Sequence, residues 1–227
     1  MAKSPIERPA LLRLFEGREA VIFDLDGTLH GGGRDVESAG DSARVTGMRL
    51  RHRMGTADCF ESFSLFDRFV KARVPEMSKS EALLACFGIG LSEMNRFRET
   101  HESPEQFVRP APDVARAIYE IRQRFRLILA TNNSRSLALR IVKCLGLNLS
   151  LFEYVQASED VGFPKPDPRF FTQIMNVVGL PAARLVSVGD GQVTDVAPAL
   201  ALGMGAWQVR GPQDIVQLAG ILGGASS

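Results

Sequence analysis

Two carboxylates set two residues apart, Asp24 and Asp26, follow an apolar run in the segment Val21-Ile22-Phe23-Asp24-Leu25-Asp26-Gly27-Thr28-Leu29. In an extended chain that spacing sends both acids to the same side. Like charges repel, and each is costly to take out of water. A pair at the exit of a buried strand therefore calls for a cation between them or for proton-transfer work. Acids after a strand also serve as turn formers and helix caps, and on this motif alone both readings stand.

Other apolar runs end in polar residues of defined type. Leu127 to Ala130 stops at Thr131-Asn132-Asn133, and Leu185 to Val188 stops at Gly189-Asp190-Gly191 with Asp195 a turn later. Lys165 lies in Phe163-Pro164-Lys165-Pro166-Asp167, after a third run. Each has an ordinary structural use: an exposed loop lysine, a tight turn at Gly189-Asp190-Gly191, a helix cap at Asp195. In a parallel sheet, however, strand ends of one sense share one edge, where these groups converge. Carboxylates, a lysine, a hydroxyl and an amide suit a hard divalent cation with oxygen ligands, and an anion held by cationic and neutral donors.

The elements that must position them alternate from Asp113 onward. Val114, Ile118, Ile121 and Phe125 recur at helical spacing. Leu137, Ile141, Val142 and Leu145 mark a second helix with Gly146 as its C-terminal cap. Phe152 to Ala157 reads as a strand. Asp167-Pro168 is a helix start, and Gly179 closes that helix. A helix over 196–202 and a strand at 206–209 complete the series. Alternation of short apolar strands with helices predicts an α/β fold with a doubly wound, parallel, Rossmann-like sheet. Between Thr28 and Pro112 helical signals dominate: the stripe Phe63, Phe66, Phe69 and Val70, the capping box Ser78 to Glu81, and the start at Ser103-Pro104-Glu105. An insert of roughly eighty residues exceeds ordinary loop lengths and reads as a module of its own. The division expected is a core of 1–29 and 111–227, with a helical cap of 30–110 inserted after the first strand. Gly31-Gly32-Gly33 and Pro110-Ala111-Pro112 are its candidate hinges.

In this order and spacing the motifs resemble the haloacid dehalogenase superfamily, whose signature runs Asp-x-Asp-x-Thr, then Thr or Ser, then Lys, then Gly-Asp with a second acid four or five residues on. The matches are Asp24-Leu25-Asp26-Gly27-Thr28, Thr131, Lys165, and Gly189-Asp190 with Asp195. The insert sits where that family places its C1-type cap. The resemblance implies Asp24 as a nucleophile that attacks phosphorus, and Asp26 as general acid and then base. It implies Mg2+ held by Asp24, the Asp26 carbonyl and Asp190, with Asp195 in support. Thr131 and amides near Asn132 would bind the phosphoryl group, and Lys165 would neutralise nucleophile and phosphate together. An acid at position 26 favours phosphate-ester hydrolysis, since the superfamily's dehalogenases lack it. After Leu29 many relatives continue with an acid and serine, whereas this chain reads His30-Gly31-Gly32-Gly33. His30 is either a substrate contact or a surface residue beside a loop. Arg49, Arg51 and Arg53, with His52, form a basic cluster that is either a solvated helix face or a cap surface for an anionic leaving group.

Bulk properties narrow the classes. The 227 residues are 45% hydrophobic and 23% charged, with a formal net charge of +1. That gives no basic field for nucleic acid. No apolar run approaches membrane-spanning length, and the start does not read as a signal peptide. Cys59, Cys86 and Cys144 sit in apolar surroundings and read as reduced core thiols of a cytoplasmic protein. The function expected is a Mg2+-dependent phosphatase acting on a small phosphorylated metabolite: a sugar phosphate, phosphoglycolate or a nucleotide monophosphate. The chain is expected as monomer or homodimer. The alternatives are a phosphomutase of the same superfamily and a non-catalytic phosphate-dependent binding protein, the last of which predicts loss of a catalytic acid.

Overall fold

The computed structural model describes residues 8–31, 90–101 and 103–224. Five parallel strands, β1 (Ala20–Phe23), β2 (Arg126–Thr131), β3 (Tyr154–Ala157), β4 (Leu185–Gly189) and β5 (Gly205–Gln208), form one sheet in the order β3-β2-β1-β4-β5. β1 is central and pairs on both sides, Phe23 lying level with Leu129 of β2 and Val188 of β4. The chain fills one side of β1 and then the other, so the order reverses beside it. Such a reversal opens a crevice at the carboxyl ends of the strands.

Strand residues sort by the two-residue period into two cores. Val21 and Phe23, Leu127 and Leu129, and Val186 and Val188 face one side. There they meet α1 (Arg8–Phe15), α4 (Pro112–Arg122), α5 (Arg135–Cys144) and α9 (Pro212–Gly223). Ala20, Ile22, Ile128, Ala130 and Leu185 face the other side, under α7 (Pro168–Val178) and α8 (Ala197–Ala201). Helices on both faces make the sheet doubly wound, as the alternation predicts. α4 buries Val114, Ala117, Ile118 and Ile121, the i, i+3, i+4, i+7 stripe of a helix with one core face. α7 starts where the sequence places it: the Asp167 side chain accepts from the Arg169 amide, and Pro168 fills the first helical position.

Within the insert, α2 (Leu91–His101) and α3 (Pro104–Phe107) are helical, as expected. α2 packs on α5 and on the short α6 (Ser158–Val161). The stripe at Phe63, the capping box at Ser78, the basic cluster and two of the cysteines lie outside the described residues. Two expectations are corrected. The strand expected from Phe152 starts at Tyr154, because Phe152 closes a 3-10 turn. The helix expected over 196–202 opens with a π turn at Gln192–Val196. The two terminal helices, α1 and α9, were not in the sequence pattern at all, yet they help close one face of the sheet.

Under α7, Phe170 and Phe171 pack edge to face, ring centroids 5.8 Å apart, and both are fully buried. Phe170→Ala should therefore cost about 3–5 kcal/mol. The loss is read as a lower urea midpoint at unchanged slope; a loss below roughly 1 kcal/mol would mean that this face of the sheet is not closed by α7.

Candidate active site

Asp24 is the first residue beyond β1, and its amide still donates to the Val188 carbonyl at 3.0 Å. The loop after it is nailed down by Leu25 and Leu29, both fully buried. Gly27 makes the turn at φ +78°, and any Cβ there would run into the Asp190 carboxylate. Glycine is needed twice over, for conformation and for space. Thr28 is buried and joins the two strand ends. Its hydroxyl accepts from the Asp190 amide at 3.1 Å and donates to Asp24 Oδ2 at 3.2 Å.

Lys165 arrives from the loop after α6, and its ammonium is 2.7 Å from Asp24 Oδ1 and 2.5 Å from Asp195 Oδ1. A third donor reaches the Ala130 carbonyl at 3.2 Å. Asn132 sets the height of this lysine. Its Nδ2 donates to the Lys165 carbonyl at 2.9 Å, and its Oδ1 accepts from the Lys165 amide at 2.8 Å. The Asn132 side chain is thus spent on the lysine loop, and only its main chain is left to meet a phosphoryl oxygen. Thr131 is buried, and its Oγ1 accepts from the Asn133 amide at 3.1 Å. That bond leaves the Thr131 proton available to another acceptor. Asp195 Oδ2 accepts from the Gly191 amide and the Thr194 hydroxyl, each at 2.9 Å. Cβ atoms at Gly189 or Gly191 would strike Asp195 and Thr194.

Ligand oxygens of Asp24, Asp190 and Asp195 all lie within 4.8 Å of one another. Mg2+ binds six oxygens at about 2.1 Å, so opposite ligands stand about 4.2 Å apart, and the cluster has the right span. When all are ionised, three carboxylates against one ammonium leave two negative charges, which a divalent cation cancels. These residues fit such an ion. Asp195, already holding Lys165, Gly191 and Thr194, supports the site more than it offers a vacant oxygen.

The two acids of the first motif are tuned in opposite directions. Burial pushes Asp24 up to about 7, with Asp195 and Asp26 adding to it and Lys165 opposing. Burial would strip the proton from Lys165, but Asp195 and Asp24 together push it up, so the ammonium stays charged. Burial would also raise Asp26. It is outweighed by the hydrogen bond and charge of His30, the charge of Arg98 and the hydrogen bond from Asn133, which lower it to about 2.

His30 is where sequence reasoning is corrected: it is 8% exposed, not a surface residue, and its Nε2 is 3.1 Å from Asp26 Oδ1. Asn133 Nδ2 donates to Asp26 Oδ2 at 2.6 Å, and Asn133 Oδ1 accepts from the Arg98 guanidinium. Arg98 comes from α2, so the insert reaches the site. Asn133 and Arg98 were missed. Asn133 carried a signal, as an amide beside Asn132; Arg98 carried none. Asp24, Asp26, Thr131, Asn132, Lys165, Asp190 and Asp195 all gather at one sheet edge. Arg49, Arg51 and Arg53 lie outside the described residues.

A family model for haloacid dehalogenase-like hydrolases matches residues 19–203. The chain belongs to that family. This hydrolase is 28% identical over 195 residues to the phosphoglycolate phosphatase of Mesorhizobium japonicum, a match that takes in 82% of this chain and 80% of that protein. Among solved structures, the magnesium-bound HAD hydrolase YfnB of Bacillus subtilis superposes with a TM-score of 0.57 at 17% identity, over 89% of this chain and 99% of that one. The 2-haloacid dehalogenase of Pseudomonas syringae superposes with a TM-score of 0.53 at 21% identity, over 92% of this chain and all of that one. At such identities the likeness speaks for the fold.

Two outcomes follow for metal binding. Because Asp24 rises from 3.8 to about 7, the metal-free folded chain keeps a proton there that the unfolded chain has lost. Stability from this group therefore falls as pH rises through that window. A cation takes the proton's place. Mg2+ at one fixed concentration, a hundred times its Kd at pH 8, should stabilise the hydrolase by about 2.7 kcal/mol there, and should raise the melting temperature less at pH 5.5, where the proton competes for Asp24. Equal shifts at both values would rule out Asp24 as a ligand. Gly27→Ala, which drives a methyl group into Asp190, should abolish the Mg2+ shift while the chain still unfolds cooperatively.

Proposed function

We propose that this hydrolase is a Mg2+-dependent phosphatase acting on a small phosphomonoester through an aspartyl phosphate. The observation that carries the reading is Asp26: a second acid, half-buried beside the nucleophile and gripped by His30 and Asn133. The same fold serves dehalogenases and phosphatases, so the fold does not choose between them. Departure of halide needs no proton, whereas an alkoxide does.

In the proposed sequence an Asp24 oxygen attacks phosphorus, the ester P–O bond breaks, and the leaving alcohol takes its proton from Asp26. Water then attacks the aspartyl phosphate, Asp26 takes the water's proton, and inorganic phosphate departs from a regenerated Asp24. Asp26 at about 2 is ionised in the resting protein. A phosphoryl dianion beside it raises it and lets it acquire the proton it must donate. Lys165 screens nucleophile from phosphate, and the Thr131 hydroxyl donates to a phosphoryl oxygen. Mg2+, when held by Asp24, the Asp26 carbonyl and Asp190, would cancel the charge that keeps carboxylate and phosphate apart. We take 1–29 and 111–227 as the catalytic core and 30–110 as the cap, in a cytoplasmic enzyme. Helices α2 and α3 support that division, as does the return to the sheet at Pro112. The substrate candidates remain a sugar phosphate, phosphoglycolate, for which the Mesorhizobium relative is named, and a nucleotide monophosphate.

Para-nitrophenyl phosphate tests the chemistry because its leaving group needs little protonation. Turnover should require Mg2+ and vanish in Asp24→Asn. Asp26→Asn should release one equivalent of nitrophenol in a burst and then turn over about 10²–10⁴-fold more slowly, since only the second step still needs the base. Metal-independent turnover, or an Asp26→Asn variant as fast as the parent, would overturn the reading.

A further inference from the structure

α2 buries a polar side chain, where a docking helix normally buries an apolar one. Asn95 is 3% exposed and is the deepest described side chain of that helix. Both its Nδ2 and its Oδ1 lack a hydrogen-bond partner. Among the described residues these are the only buried side-chain polar atoms in that condition. A leucine would pack there at no such cost, and an amide with neither end satisfied forfeits the hydration of a donor and an acceptor together. Asn95 also lies in a telling place. Three residues on, one helical turn along the same face, Arg98 bonds Asn133, which bonds Asp26. α2 rests on α5 and α6, the helices that leave the carboxyl ends of β2 and β3. The orphaned amide therefore stands about one turn, roughly 5 Å, along α2 from Arg98, whose guanidinium reaches the Asn133 that bonds Asp26.

We propose that Asn95 is a specificity-determining residue that reads a hydroxyl on the substrate's leaving alcohol, and that the substrate is a polyhydroxylated phosphomonoester of the sugar- or polyol-phosphate class. The choice of hydroxyl follows from the two empty bonds. A hydroxyl accepts from Nδ2 and donates to Oδ1, satisfying both. A carboxylate or a second phosphate satisfies Nδ2 and sets its lone pairs against Oδ1. An ammonium satisfies Oδ1 alone. The position along α2 places the hydroxyl further out on the alcohol than the ester oxygen that Asp26 protonates. A site built around a substrate hydroxyl discriminates strongly against the analogue without it, because the site's own polar atoms are then left bare.

This inference rests on the phosphatase reading, and the experiment separates the two. The full chain with Mg2+ is assayed on glycerol 1-phosphate, on propyl phosphate, which keeps the carbon chain and lacks the hydroxyls, and on 2-phosphoglycolate, whose alcohol carries only a carboxylate. The parent should favour glycerol 1-phosphate over both by about 100-fold or more in kcat/KM. Asn95→Leu should melt no lower than the parent and keep its turnover of propyl phosphate, while the preference falls below about 10-fold. Should the leucine not fit, Asn95→Ala gives the same reading on the ratio. Equal turnover of glycerol and propyl phosphates by the parent would overturn the inference, as would a preference for 2-phosphoglycolate or a ratio unchanged in the variants. In each of those cases para-nitrophenyl phosphate would still be hydrolysed. Loss of that activity too would bring down the phosphatase reading itself.

Discussion

One buried ammonium between two buried carboxylates holds the sheet edge together. Lys165 is 2% exposed and Asp195 2%, with Asp24 at 8%. Without the lysine, Asp24 and Asp195 would face each other in a setting where neither could be ionised at moderate cost. With it, the end of β1, the loop after α6 and the π turn after β4 are drawn to one point. The Asn132 amide grips the Lys165 main chain from both sides, so this charge cannot drift. The rest of the site is arranged around that fixed charge: Thr28 on one flank of Asp24, and Gly191 and Thr194 behind Asp195.

The resting electrostatics run opposite to what the proposed chemistry asks. A nucleophile should be ionised and a general acid protonated, yet burial raises Asp24 and the His30, Arg98 and Asn133 contacts lower Asp26. Environments that push neighbouring acids apart are a mark of assigned roles. Here the assignment is completed by what binds. In the proposed reaction a cation at the carboxylate cluster would ionise Asp24, and a phosphoryl dianion would raise Asp26 so that it takes up a proton. On that proposal the site would be armed by its own ligands.

Most of the core was legible because buried parallel strands are short apolar runs, and each run ended in a residue too polar to continue it. Leu127 to Ala130 and Leu185 to Val188 set strand and functional group in one reading. The terminal helices were not legible. α9 carries Gly220 and Gly223, which weaken its intrinsic helicity, and its burial against α4 is a tertiary fact. The turn at 192–196 closes with a Val196 amide bonded five residues back to Gly191. Nothing in residue type separates that from an ordinary turn. His30 misled because a histidine before three glycines looks like a loop residue. Its Nε2 meets Asp26, a neighbour four residues back that only the folded turn brings close. Arg98 lies far from every motif in sequence, and only packing brings it to Asn133.

The three glycines at the rim, Gly27, Gly189 and Gly191, each abut a carboxylate or hydroxyl of the site. No side chain, however small, fits at these positions without displacing a functional group. Most surfaces let a lineage explore by single conservative steps, each nearly neutral. This rim has no such steps: any first change is a large one, and the intermediate forms are damaged. Change in descendants of this chain is thereby channelled away from these three positions of the sheet edge.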